Sequence, residues 1–196
     1  MNRDSCKSSK VWDDKSLASL MEHIVDTHHV FCRREVTRVA LLSKEAIDNQ
    51  GKDHPELKRI HDLFFQMSRD LLMHLLKEEQ TLFPYIAKVE AEVARDASVS
   101  WPPFGTVENP IRMMVLEHVK TDDELNQIRK LSNNYTPADD ACDSCSNLYE
   151  ALAAFDRDMQ QHIECENDLL FPRAVAMEEE ACKKSRVASE WPNIKA

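Results

Sequence analysis

The chain has 196 residues, of which 31% are charged, and a formal net charge of −10. This acidic balance repels phosphate backbones and argues against nucleic-acid binding, and the sequence has no apolar run of membrane-spanning length. Glycine occurs twice, which disfavours folds with many tight hairpins and favours long helices joined by few loops. The N-terminus lacks the apolar core of a signal peptide, so we expect a cytoplasmic protein with no membrane partner.

Hydrophobic periodicity predicts four long helices in chain order, at approximately residues 15–49, 55–95, 109–133 and 140–184. The connections between them are short, which makes successive helices antiparallel. The predicted fold class is therefore all-α, an up-down-up-down four-helix bundle. We expect one bundle domain and two tails, with boundaries at 1–11 (N-terminal tail), 12–185 (bundle) and 186–196 (C-terminal tail).

One pattern occurs twice, 88 positions apart: His74-x3-Glu78-x3-Leu82-Phe83-Pro84 and His162-x3-Glu166-x3-Leu170-Phe171-Pro172. A histidine and a glutamate four positions apart share one helix face. A single His-x3-Glu pair is ordinarily two interacting side chains on a solvated helix face. Here the same Leu-Phe-Pro follows both pairs, which makes that interpretation poor for either pair. Two such faces turned toward each other predict a buried site, most simply for two metal ions. Each proline should bend or end its helix.

Each half of the chain adds a histidine from its first helix. His29 lies 45 positions before His74, and His118 lies 44 positions before His162. His29 is preferred to His28, because the helical stripe of His28 is more mixed. Imidazole and carboxylate ligands without a thiolate suit iron or manganese better than structural zinc. The expected cofactor is therefore a pair of non-haem iron ions bridged by carboxylates.

The six cysteines show no regular disulfide spacing, so we expect mainly reduced thiols. Cys142-x-x-Cys145 lies near the start of the fourth predicted helix. A dithiol at such a position can have a lowered pKa and act in redox chemistry. The alternative is a pair of unremarkable loop thiols, and the sequence favours that alternative.

These residues resemble those of the hemerythrin-like proteins, and more closely those of the di-iron iron–sulfur-cluster repair proteins, the RIC family. The resemblance runs from Trp12 to about Met177 and includes both H-x3-E-x3-LFP motifs. It also includes the segment Pro110-Ile111-x2-Met114-x2-Glu117-His118 in the third predicted helix. The paired motifs are highly specific for this group of proteins.

The resemblance implies a ligand set and an activity. Glu78 and Glu166 would bridge the two irons. His29 and His74 would bind one iron, and His118 and His162 would bind the other. The implied activity is the restoration of iron centres damaged by nitric oxide or oxidants, by iron donation, by nitric oxide chemistry or by both. Nitric oxide or dioxygen is then the expected ligand, iron–sulfur proteins are the expected clients, and an oxo bridge is expected in the oxidised state.

Two departures from the family pattern affect these expectations. The family usually has a further histidine ligand before the glycine that ends the first helix, where this chain has Gln50. Asp122 lies four positions after His118 and is our candidate for the missing ligand. The alternative is that Asp122 is a solvated aspartate and that His54, Gln50 or water takes the place of the missing ligand. Family members often carry a small cysteine-containing domain before the bundle, for which Cys6 alone cannot substitute.

Two other functional classes were compared with repair. A hemerythrin-type carrier or sensor of oxygen or nitric oxide, without turnover, is favoured by an iron that lacks a sixth protein ligand. A ferritin-like oxidase is disfavoured, because such bundles usually use Glu-x-x-His, whereas this chain has His-x3-Glu.

Overall fold

Four long helices pack side by side in a computed structural model that describes residues 9–97 and 102–190. Three of them contain one π-helical turn each. In chain order the elements are α1 (Ser9–Trp12), α2 (Leu17–Ile24), the first π turn (Val25–His29), α3 (Val30–Gln50), α4 (Glu56–Lys77), the second π turn (Glu78–Leu82), α5 (Phe83–Ala94), α6 (Glu108–Leu131), α7 (Asp143–Glu164), the third π turn (Cys165–Leu170) and α8 (Phe171–Glu190). The described residues form no strand, and the predicted all-α bundle is confirmed.

The order of the helices around the bundle follows from their contacts. α3 packs against both α4 and α7, and α4 packs against α6. Successive long helices are thus neighbours and run in opposite directions, as short connections require. Among the described residues, no helix combines the length and the apolar character needed to cross a bilayer.

The first long helix begins at a well-defined cap. The Ser16 hydroxyl accepts a hydrogen bond from the backbone N–H of Ser19 at 3.1 Å. The Glu90 carboxylate on α5 accepts from the N–H groups of Leu17 and Ala18 at 2.6 and 2.9 Å. These acceptors satisfy backbone donors that the first helical turn leaves free, and they fix α2 against α5.

Pro84 and Pro172 do not end their helices. Each follows a π turn whose closing bond runs from the preceding phenylalanine N–H to the motif glutamate carbonyl, from Phe83 to Glu78 and from Phe171 to Glu166. The widened turn comes just before the position where proline removes a backbone donor. The expected interruption is therefore a π turn at the same place in both repeats.

The buried apolar side chains form two clusters, one on each side of a polar layer. One cluster joins α2, α5 and α8 and includes Leu20, Ile86 and Phe171. The other joins α3, α4, α6 and α7 and includes Ile60 and Phe155. The layer between them holds buried histidines and glutamates. Burial of such groups is costly unless they are paired or bind a metal, so this layer is the candidate site.

Candidate metal centre

Three of the helices widen at the level of the polar layer. His29 ends the first π turn, Glu78 begins the second, and Glu166 lies in the third. A π turn inserts one residue into a helix and so changes the direction of the side chains that follow it. Such turns are frequent at functional sites, and here all three carry a predicted ligand.

The structure brings six of the seven predicted ligands together. They form two overlapping groups in which one donor atom from each residue lies within 4.8 Å of all the others: His29, Glu78, His162 and Glu166 in one group, and His74, Glu78, His118 and Glu166 in the other. All six side chains are buried. The two groups share both glutamates, so they form two adjacent candidate positions for a cation.

Glu78 lies between two histidines and is 0% exposed. Its Oε1 is 3.1 Å from Nε2 of His74, and its Oε2 is 3.4 Å from Nε2 of His29. Neither oxygen accepts a well-aligned hydrogen bond from the described residues. Because a buried carboxylate without donors is unfavourable, these oxygens are suited to bind a cation on each side.

Glu166 has the matching position on the fourth long helix. Its Oε1 is 3.0 Å from Nε2 of His162, and its Oε2 is 3.1 Å from Nε2 of His118. It is also fully buried. Each carboxylate therefore spans both groups, which is the arrangement of a bridging ligand in the dinuclear sites of helical bundles.

The histidines pair between the two hairpins, not within them. Nε2 of His29 lies 3.1 Å from Nε2 of His162, and Nε2 of His74 lies 3.1 Å from Nε2 of His118. This differs from the pairing implied by the resemblance, which placed His29 with His74. The pairs form where α3 packs along α7 and where α4 packs along α6.

Outer hydrogen bonds determine which nitrogen faces the centre in three of the histidines. The acceptors at Nδ1 are Glu79 for His29 (2.7 Å), Glu117 for His74 (2.9 Å) and Asn167 for His118 (3.1 Å). An Nδ1–H that is donated outward leaves the Nε2 lone pair directed inward, which is the metal-binding form. Facing lone pairs at 3.1 Å repel each other unless a metal ion or a proton lies between them.

Sequence reasoning assigned no role to these three acceptors, although a signal was present. Glu79 and Asn167 each directly follow a motif glutamate and lie 88 positions apart, as the motifs do. Glu117 directly precedes His118. Residues that orient metal-binding histidines commonly affect the affinity for the metal. The 88-position offset of Glu79 and Asn167 was therefore a signal of this role in the sequence.

His162 differs from the other three histidines. Its Nδ1 is buried and has no hydrogen-bond partner among the described residues. The ring of His28 stacks on it, with ring centroids 5.6 Å apart and an angle of 8° between the planes. Nδ1 of His28 is 3.1 Å from the Asp158 carboxylate. The two cation positions thus differ in their surroundings, although their nearest donors match.

The glutamates control protonation in the metal-free centre. Burial disfavours a charged imidazole, but the close Glu78 and Glu166 carboxylates outweigh it and raise the pKa of His29 to about 10 and that of His74 to about 9. Burial also opposes ionisation of the glutamates, and the facing histidines outweigh it, so the pKa values of Glu78 and Glu166 are lowered. Protons on the imidazoles therefore balance the carboxylate charge where metal ions would otherwise do so.

The structure places Asp122, the seventh predicted ligand, outside both groups. Its side chain is 45% exposed, and its Oδ1 accepts a hydrogen bond from the Gln160 amide at 2.8 Å. The inward face of α6 continues from His118 through Thr121 instead. Three residues advance a helix by about 300° and four by about 400°, so either position is near the face, and packing selects Thr121.

Gln50 is too distant to concern the centre. It lies 21 residues after His29, which is about 30 Å along a helix at ~1.5 Å per residue. Its amide instead bonds to the backbone of Cys142 and Asp140. At this distance, a histidine at position 50 of this helix would not reach the centre. His54 is also outside both groups.

The donor set fits iron. Four imidazole nitrogens and two bridging carboxylates supply the borderline and hard ligands that iron accepts in bundles, and neither group includes a thiolate. Among the described cysteines, Cys32, Cys142, Cys145 and Cys182 are not in disulfides, as expected, whereas Cys165 takes part in one.

A four-helix bundle with two histidine-glutamate motifs facing one centre defines a hemerythrin-type cation-binding protein. The family model described as "Hemerythrin HHE cation binding domain" matches residues 20–99 and 109–189, and the chain belongs to this family. The two matches cover the two helical hairpins that the repeat predicted.

Curated relatives make the comparison more specific. The chain is 30% identical over 173 residues to the "Probable iron-sulfur cluster repair protein" of Haemophilus influenzae. It is also 30% identical over 171 residues to the "Iron-sulfur cluster repair protein YtfE" of Yersinia pseudotuberculosis. Both alignments cover 86% of this chain and 70% of the relative. The resemblance to the repair proteins that the sequence suggested is thereby confirmed.

Proposed function

We propose that this protein is a non-haem di-iron protein that repairs iron–sulfur clusters damaged by nitric oxide or oxidants. The observation that supports it is the position of Glu78 and Glu166, each fully buried and each spanning two histidine groups. The relatives in Haemophilus influenzae and Yersinia pseudotuberculosis are named iron–sulfur cluster repair proteins, and this supports the repair activity. Iron–sulfur proteins are accordingly the proposed clients, with nitric oxide or dioxygen as the small-molecule ligand.

In this proposal the six clustered residues hold the metals. Glu78 and Glu166 would serve both ions, and the histidine pairs would hold one ion each: His29 with His162, and His74 with His118. Bound ferrous iron would supply a reducing centre with affinity for nitric oxide and dioxygen. Each group would supply four donors to an ion, and a small ligand would occupy a position that the protein leaves open.

The surroundings of the centre have three tasks. The two apolar clusters, one on each side of the polar layer, exclude water from the centre. Glu79, Glu117 and Asn167 orient the histidines. Arg33 pairs with Glu79 at 2.8 Å and Lys77 pairs with Glu117, so the outer carboxylates are themselves held in place. Orientation of this kind keeps the ligands ready to bind and limits reorganisation when the metals change oxidation state.

The repair activity can be tested on a client enzyme. An iron–sulfur dehydratase is inactivated with nitric oxide and then incubated with the iron-loaded protein under anaerobic conditions. We expect recovery of dehydratase activity with the natural chain and none with Glu166→Gln, which removes one bridging carboxylate. Asp122→Ala, outside the centre, is the matched control and should restore activity normally. Equal recovery with Glu166→Gln and the natural chain would refute the proposal.

A gas carrier or sensor is the second candidate, and the same open coordination positions favour it. Stopped-flow mixing of the di-ferrous protein with oxygen separates the two candidates. A spectral change that reverses when oxygen is removed supports the carrier. Rapid irreversible oxidation supports repair or redox work.

A further inference from the structure

Two free thiols meet at the end of the bundle far from the metal centre. Sγ of Cys142 lies 3.2 Å from Sγ of Cys145, and neither cysteine is in a disulfide. Cys142 is the N-cap residue of α7, a helix of 22 residues. The positive end of a long helix stabilises a thiolate at its cap.

The two thiols differ in access. Cys142 is partly exposed, whereas Cys145 is 3% exposed and lies in the floor of a small cavity beside Leu57 and Tyr149. Burial raises the pKa of Cys145 to about 11. An external reagent therefore meets Cys142 first, and Cys145 stays protonated behind it.

Ser144 supports the accessible thiol. Its hydroxyl oxygen accepts a hydrogen bond from the Asn49 amide at 3.0 Å, so its own proton is available for Cys142 Sγ, which is also 3.0 Å away. This hydrogen bond is the main cause of the lowered pKa of Cys142. The pair thus has an activated outer sulfur and a protonated inner one.

Gln50 holds both cysteines in this arrangement. Its Oε1 accepts hydrogen bonds from the Cys142 backbone N–H at 2.6 Å and from the Cys145 thiol at 3.2 Å. The amide therefore joins the end of α3 to the start of α7 and fixes the two sulfurs toward each other. A pair of unconnected loop thiols, the interpretation that the sequence favoured, would need no such contacts.

We propose that Cys142 and Cys145 are a reversible dithiol–disulfide site that reacts with low-molecular-weight disulfides such as oxidised glutathione. The Cys142 thiolate attacks one sulfur of the disulfide, and one thiol leaves with the proton that Cys142 lost. Cys145, on losing its proton, attacks Cys142 Sγ, and the second thiol leaves with that proton. The products are one protein disulfide and two small thiols; the protein dithiol is oxidised and the small disulfide is reduced.

This site is separate from the metal centre. Cys145 and His162 are 17 residues apart on one continuous helix, which corresponds to roughly 25 Å at ~1.5 Å per residue. Its chemistry can therefore be measured in protein whose metal content is unaltered.

The oxidation can be followed by mass spectrometry. The reduced full-length protein is equilibrated in glutathione buffers with a rising oxidised fraction, quenched by alkylation and analysed for peptide masses. We expect a Cys142–Cys145 disulfide in the natural chain and a persistent glutathione adduct on Cys142 in Cys145→Ser, since the resolving thiol is gone. Cys182→Ser is the control and should still form the disulfide. A glutathione adduct on Cys142 that persists equally in the natural chain would overturn the proposal.

Alkylation rates test the activation of Cys142 separately. At pH 7 we expect Cys142 to react at least about threefold faster than the thiol of glutathione, because its lowered pKa makes more of it thiolate. Ser144→Ala should remove most of that advantage without unfolding the protein. If Cys142 reacts no faster than glutathione, the proposed attacking role is wrong.

Discussion

Metal loading should release protons from the centre. At pH 7 the metal-free protein carries a proton on His29, whose pKa is about 10, and one on His74, whose pKa is about 9. A metal ion needs both imidazoles in their neutral form. Loading with two ferrous ions should therefore displace about two protons per chain from these residues. Isothermal titration calorimetry in two buffers of different ionisation enthalpy measures that number directly.

The same protons give the apparent affinity a steep pH dependence. Two released protons change the apparent binding constant by about 100-fold per pH unit between pH 7 and about pH 9. The folding stability of the metal-free protein, in contrast, should fall as the pH rises. A pKa raised in the folded state adds stability that is fully present below the unfolded value of about 6.5 and is lost as pH rises through 9 to 10. Metal-free protein should therefore melt earlier at pH 10 than at pH 7.

A matched variant assigns the protons to residues. His74→Asn should lower the release to about one proton, because His29 remains. His61→Gln is the control: this histidine contacts Ser43 at 2.7 Å, outside the centre, and its replacement should leave the count unchanged. Release of fewer than one proton by the natural chain at pH 7 would show that the histidines are neutral without metal, contrary to the charge balance inferred here.

Three further variants test separate contacts. Asp122→Ala should leave the iron content and visible spectrum unchanged, since Asp122 lies outside both ligand groups; loss of iron would restore it as a ligand. Glu79→Ala should weaken metal binding by about 10–100-fold, because His29 loses its outer acceptor, as a chelator competition would reveal. Asp156→Asn should lower the free energy of unfolding by about 1–3 kcal/mol in urea, because it breaks the paired contacts with Arg129 at 2.6 and 2.9 Å, while metal content stays unchanged.

The repeat carried most of the information about the centre. Two motifs at one constant offset required equivalent helix faces, so the bundle and the six clustered side chains could be predicted from local periodicity. The pairing of His29 with His162 could not, because it depends on which helices lie side by side and at what level. The π turns could not be predicted either, because a residue inserted into a continuous helix leaves no mark on the sequence other than the nearby proline.

Two of the expectations depend on distance and rotation. Asp122 and Thr121 lie at neighbouring angles from His118, and packing alone decided between them. Gln50 occupies the position of a family ligand in the sequence, but the length of the helix separates it from His29. A count of helical rise would have excluded it. Its actual role at Cys142 and Cys145 depends on contacts between α3 and α7 that periodicity does not describe.

Metal content is the most direct test of the central claim that shared glutamates hold two ions between histidine pairs. The protein is purified without added metal and analysed for iron, beside a Glu78→Gln, Glu166→Gln double variant that keeps the side-chain shape. We expect about two irons per chain in the natural protein and less than about one in the double variant. Two irons in the double variant, or no bound metal in the natural protein, would contradict the account.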